Sequence, residues 1–94
     1  MYSTVPRTSL REEGPLLYAL NDAIDSEGLV AEKDLRDRWH YARARINWGS
    51  SYEEEAEELF SLIEDIAASG AIASTWIEQR WTAVLARVEA HERA

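Results

Sequence analysis

The stretch Ser51-Tyr-Glu-Glu-Glu-Ala-Glu-Glu-Leu-Phe-Ser-Leu-Ile-Glu-Asp-Ile-Ala-Ala-Ser-Gly70 decides how this chain folds. At about 100° per residue, Tyr52, Ala56, Leu59, Phe60, Leu62, Ile63, Ile66 and Ala67 gather on one arc. The acids take the opposite arc, except Glu55 near the helix start. That is the pattern of an amphipathic helix lying on a core. Ser51 with Glu54 forms a capping box, which predicts a helix starting at 52. Ser69-Gly70 predicts its end, because glycine adopts the left-handed cap without strain.

The same signals recur on either side. Gly14-Pro15 opens a segment in which Leu16, Leu17, Leu20, Ala23 and Ile24 repeat at helical spacing, giving a helix over about 15–26 that Gly28 ends. Leu35, Trp39, Ala42 and Ile46 make one buried stripe on a second helix, about 31–46. Asn47-Trp48-Gly49-Ser50-Ser51 reads as a loop. Thr75 with Glu78 repeats the capping box and opens a last helix, about 75–91, that buries Ile77, Trp81, Val84, Leu85 and Val88. Two Pro, four Gly and no alternating pattern leave little room for a sheet. The expected fold is all-α, a small antiparallel four-helix bundle. A single domain, 14–94, follows an irregular N-terminal arm, 1–13.

Composition narrows the function classes. The 94 residues suit one domain. Four Trp and four Tyr separate the chain from disordered acidic tails. Net charge is −8. Residues 1–48 carry seven bases and eight acids, and residues 49–94 carry three and ten, so the charge lies in the second half. Such a surface repels nucleic acid and anionic membranes and attracts basic partners. The absence of cysteine excludes disulfides and thiolate metal sites. No signal peptide or apolar run of membrane-spanning length is present, which makes a soluble cytoplasmic protein the expectation.

The acids are the main candidate for function. From Ile46 to Gln79 the chain carries eight Asp and Glu and no Lys or Arg. On a helix from 52 they form two rows, Glu53/Glu57/Glu64 and Glu54/Glu58/Asp65. Neighbours four apart in a row lie ~6 Å apart along the axis, close to the ~7 Å between successive phosphates of a duplex strand. Glu53, Glu54 and Glu55 are also ordinary helix-start chemistry, since the dipole favours acids there. Glu64 and Asp65 have no such excuse.

Helix 31–46 supplies the counterweight, with Lys33, Arg36, Arg38, Arg43 and Arg45. Arg36, His40 and Arg43 fall on one flank of its stripe, Arg38 and Arg45 on the other with Tyr41 nearby. The plain expectation is that these arginines pair with the glutamates of the next helix. A nucleic-acid contact helix is the alternative that the net charge disfavours. Trp39 and Trp81 belong to the core. Trp76 points off its stripe, in line with Arg80 and Arg87. Trp48 is expected to fold back onto the bundle or, if exposed, to join Tyr41 and Trp76 as an interface anchor.

Chemistry is not indicated. Neither His40 nor His91 has a Glu three residues before it, as di-metal bundles require. There is no HExxH spacing, phosphate loop or nucleophile elbow. No cofactor, metal or enzymatic activity is expected.

In size, charge and helical build the chain resembles, as a type, the small acidic helical inhibitors: phage anti-CRISPR and anti-restriction proteins, and the immunity proteins of nuclease bacteriocins. That likeness implies a basic partner protein, such as a nucleic-acid-binding complex or a nuclease. The implied contact residues are Glu53, Glu54, Glu57, Glu58, Glu64 and Asp65, with Tyr41, Trp48 and Trp76. Leu16 to Leu35, with Gly28-Leu29-Val30 leading into a helix, resembles the first half of a winged-helix domain. Its recognition helix would then carry the acids and be driven off DNA. A helical assembly module, for instance a homodimer, is the third expectation.

Overall fold

The computed structural model describes residues 7–30, 32–70, 72 and 75–93, and these are all-helical, with no strand among them. Five helices follow in chain order: α1 (Arg7–Glu12), α2 (Gly14–Ser26), α3 (Lys33–Asn47), α4 (Ala56–Ala68) and α5 (Thr75–Arg93). The all-α expectation holds, with one helix more than the four expected.

The addition is α1, inside the stretch expected to be irregular. Six residues cannot sustain a helix in water, because nucleation costs more than so few bonds return. Leu10, buried in the core, supplies the missing stabilisation. A single leucine carries no periodicity, and the Ser9-to-Glu12 spacing in the sequence points to a short capped turn and no more.

The centre of the fold is α4. It packs against α1, α2 and α3, and α2 also packs against α5. Leu59, Leu62, Ile63 and Ile66 of α4 are closed off from solvent, as are Leu17, Leu20 and Ile24 of α2. Burying each such side chain contributes about 1.5–3 kcal/mol before the entropy of ordering is subtracted. Asn21 lies within the same contact. Its Nδ2 donates to the Leu17 carbonyl at 2.9 Å and the Leu59 carbonyl at 3.2 Å, stitching α2 to α4. Phe60 meets Trp81 with ring centroids 5.1 Å apart, which ties α5 to α4.

The largest departure from expectation is the start of α4. The Ser51–Glu54 capping box forms: Glu54 N–H donates to Ser51 Oγ at 3.0 Å, and Ser51 N–H donates to Glu54 Oε1 at 3.1 Å. Yet residues 52–55 make a turn, and the α-helix begins at Ala56 rather than at 52. Ala56 N–H donates to the Glu53 carbonyl, not to that of Tyr52. The Tyr52 carbonyl instead lies beneath the first residue of α2, where a Cβ on Gly14 would stand 2.5 Å from its oxygen. Tertiary contact with α2 reshapes what local capping initiates.

The other ends obey the sequence more closely. Gly28 and Gly70 hold φ of 71° and 79°, as helix-ending glycines do. The second helix runs from Lys33 to Asn47 rather than 31–46, with Glu32 before it. The last helix extends to Arg93. The Thr75–Glu78 capping box and the His91 side chain lie outside the described residues. Among the described residues, no helix is long and apolar enough to cross a membrane.

Candidate protein-binding face

The arginines of α3 do reach the acids of α4, and they divide them. Arg38 presents its fork to α4: Nε donates to Glu58 Oε2 at 3.0 Å, Nη1 pairs with Asp65, and Nη2 donates to Ser61 Oγ at 3.3 Å. Glu58 and Asp65 stand seven residues apart, two turns along one side of α4, so one planar guanidinium spans both. These hydrogen bonds raise the Arg38 pKa, which only confirms a cation charged at every accessible pH.

Two turns further along α3, Arg45 Nε donates to Glu55 Oε1 at 2.8 Å, and Ser50 Oγ donates to Glu55 Oε2. Glu55, the acid that falls off the expected acidic face, is therefore part of the α3–α4 joint. Glu54 accepts the Ser51 amide within the capping box. The expected row Glu54/Glu58/Asp65 is thus engaged inside the protein.

The other row is shortened and turned outward. Glu53 sits in the 52–55 turn, half-buried and off the axis of α4. Glu57 and Glu64 are exposed. Burial raises the Glu64 carboxyl above its usual pKa, and the Asp65 charge beside it adds to the rise.

Two aromatics of α3 and the turn after it are exposed. Trp48 does not fold back onto the bundle: it is 91 % exposed, just past the end of α3. Tyr41, seven residues earlier, is 69 % exposed. The turn that closes α3 explains the difference from expectation. Trp48 N–H donates back to the Ala44 carbonyl, and Ser50 N–H donates to that of Arg45. These bonds keep Trp48 in register with the outer side of the helix. Ala44, between them in the chain, is exposed as well.

Trp76 belongs elsewhere. Its Nε1 donates to Glu27 at 3.2 Å, and the Arg80 guanidinium lies 5.8 Å from its ring, at the corner where α2 ends and α5 begins. Arg87, expected to share that line, instead grips Glu13 with two bonds of 2.7 and 2.8 Å. The basic flank of α3 also faces away from the acids. Arg43 covers the ring of buried Trp39 at 5.9 Å, and His40 and Arg36 are exposed. A separate aromatic line, Tyr52 on Tyr18 at 4.9 Å and Tyr18 on Trp39 at 5.1 Å, runs from this side into the core.

Among the described residues, no group of three or more His, Asp or Glu side chains is arranged to hold a metal ion. No protein-family model, curated protein or solved structure matches this chain.

Proposed function

We propose that this chain is a small acidic protein-binding inhibitor, of the anti-CRISPR, anti-restriction or immunity type, that occupies a basic site on a partner protein. The observation that carries the reading is the division of α4. Arg38 and Arg45 take up Glu58 and Glu55 in the α3–α4 joint, while Glu57, Glu64 and Asp65 are exposed and keep this helix acidic on its outside. A partner with a patch of Lys and Arg, such as a nuclease or a nucleic-acid-binding complex, matches that field. Electrostatic steering would speed its capture at low salt. The scaffold in this reading is an antiparallel four-helix bundle made of α2 to α5, with α1 as an added cap.

A test begins with partners captured from a lysate on the immobilised chain, identified and then purified. The purified partner binds wild type and loses at least about tenfold in affinity for the Glu57→Lys/Glu64→Lys variant, a change of about 1.4 kcal/mol. Indifference to the reversal sinks the proposal. Glu58 is left unchanged because altering it would break its bonds to Arg38 and confuse binding with folding, and the variant's fold is checked by circular dichroism before its binding is read.

The winged-helix reading gains nothing from the fold. Its recognition helix would be α4, which is the centre of the core and acidic outside, and no strand for a wing lies among the described residues. An assembly module would use the exposed aromatics, but two copies each carrying −8 repel one another.

A further inference from the structure

Trp39 holds a buried donor that has no acceptor. Its side chain is 1 % exposed, and its indole Nε1–H meets no hydrogen-bond partner among the described residues. A donor shut away in this state is destabilising, and an arriving acceptor would relieve it. What covers the ring is polar at its rim. The half-buried Arg43 guanidinium lies 5.9 Å from the ring centroid, and Tyr18 of α2 packs on the ring at 5.1 Å.

The charge around this donor is cationic. Arg36 and Arg43 stand three residues before Trp39 and four after it, which makes them its neighbours on the surface of α3. Neither arginine forms an ion pair among the described residues. His40 shares their flank, and Asp37, the acid beside it, is held by Lys33 at 2.6 Å. Across the seam, α2 contributes Asp22, one turn past Tyr18. Burial raises the Tyr18 pKa, Arg43 opposes the rise and Asp22 adds to it, so both charges stand near its hydroxyl. One carboxylate faces two arginines.

From this juxtaposition we infer that the α2–α3 seam at Trp39 binds an oxyanion, the carboxylate or phosphate group of a small ligand. Arg43 turns from the ring to grip the oxygens with its planar fork, and Arg36 adds a second charge. One oxygen accepts the Trp39 indole N–H. The seam lies on the flank of α3 opposite Arg38 and Arg45, so the inference stands apart from the acidic reading of α4. A chain of net charge −8 repels anions in general, which leaves a built site to account for one that is held.

The probes are inorganic phosphate and acetate, each titrated into the isotopically labelled full chain at constant ionic strength against chloride. The reporter is the Trp39 indole N–H, assigned from its contacts with the Tyr18 ring. The anion moves this signal downfield to saturation, while the Trp48, Trp76 and Trp81 indoles hold still. Arg43→Gln, with its helicity checked by circular dichroism, weakens binding at least about tenfold, and Arg36→Gln weakens it less. Arg43→Lys recovers only part of the affinity, because an ammonium lacks the planar fork. A larger response to phosphate assigns a phosphoryl-bearing ligand, and a larger response to acetate assigns a carboxylate-bearing one.

A Trp39 indole that ignores both anions would overturn the inference, and so would a response indifferent to Arg43→Gln. An indole signal shifted upfield, which Tyr18→Leu returns to its ordinary position, would place the N–H on the Tyr18 ring and overturn it as well. Asn21 Oδ1 is the other buried polar atom without a partner. A long-lived water in contact with the indole proton and undisturbed by either anion would give the donor to a bridge with that oxygen, with the same result.

Discussion

Arg38 is fastened to Glu58 across the α3–α4 joint, Nε to Oε2 at 3.0 Å, with both side chains about one-third exposed. The relationship has two consequences of opposite sign. Arg38→Ala releases Glu58 and Asp65 into partial contact with water, so their stranded charges are only mildly costly. A loss of about 1 kcal/mol is expected, in line with partly exposed pairs. Urea denaturation at low and high salt checks it, since the gap from wild type narrows as salt screens the pairs. The same variant frees two carboxylates, Glu58 and Asp65, so its affinity for a basic partner should rise while its stability falls.

Gly14→Ala tests the crossing that reshapes α4. On an open helix surface this change would stabilise by about 1 kcal/mol, because alanine is the better helix former. Here the new Cβ meets the Tyr52 carbonyl oxygen at 2.5 Å and its carbon at 2.7 Å, both backbone atoms that cannot swing aside. Overpacking wins, with a net loss of about 1–3 kcal/mol. A denaturation midpoint that rises instead would show that the 52–55 turn yields freely.

Glu64 supplies a pH signature. Burial lifts its carboxyl above the unfolded value, so the folded state disfavours its charged form. Its contribution is present in acid, where the group is neutral, and is lost as pH rises through the folded pKa. Glu64→Gln removes that loss. Equilibrium unfolding should show the variant slightly more stable than wild type at neutral pH, with the difference vanishing below the ordinary carboxylate range. A constant difference across pH would rule out the electrostatic origin.

Two tryptophans of α3 and its end separate core from surface. Trp39 is 1 % exposed, and Trp39→Ala should cost about 3–5 kcal/mol, enough to threaten folding of a small domain. Trp48→Ala should stay within about 0.5 kcal/mol of wild type, as a surface change does. Thermal melts of the two variants give the comparison. A large cost at Trp48 would mean that the ring is seated on the fold and not free to bind.

Much of the fold was legible because its signals are local. Leu17, Leu20 and Ile24, like Leu35, Trp39 and Ala42, announce their helices through spacings of three and four residues, and all six are buried. The candidate site was legible in composition only. That α4 carries excess acid is plain from the chain, and so is the presence of arginines on α3. Which acids the arginines take is another matter. Arg38 and its partners Glu58 and Asp65 are separated by 20 and 27 residues, and no periodicity encodes such a distance.

What the chain determines alone is therefore whatever closes within a turn: the helical class, the apolar face of each helix, the Ser51–Glu54 box and the glycine ends. The tertiary structure decided what depends on two segments meeting. The approach of Gly14 to Tyr52 delays α4 to Ala56, and Leu10 on the core makes a helix of α1. Arg38 of α3 binds Glu58 and Asp65 of α4, a pairing that exists only where the two helices meet. Charge in a sequence is a total, and only packing decides where its remainder faces water.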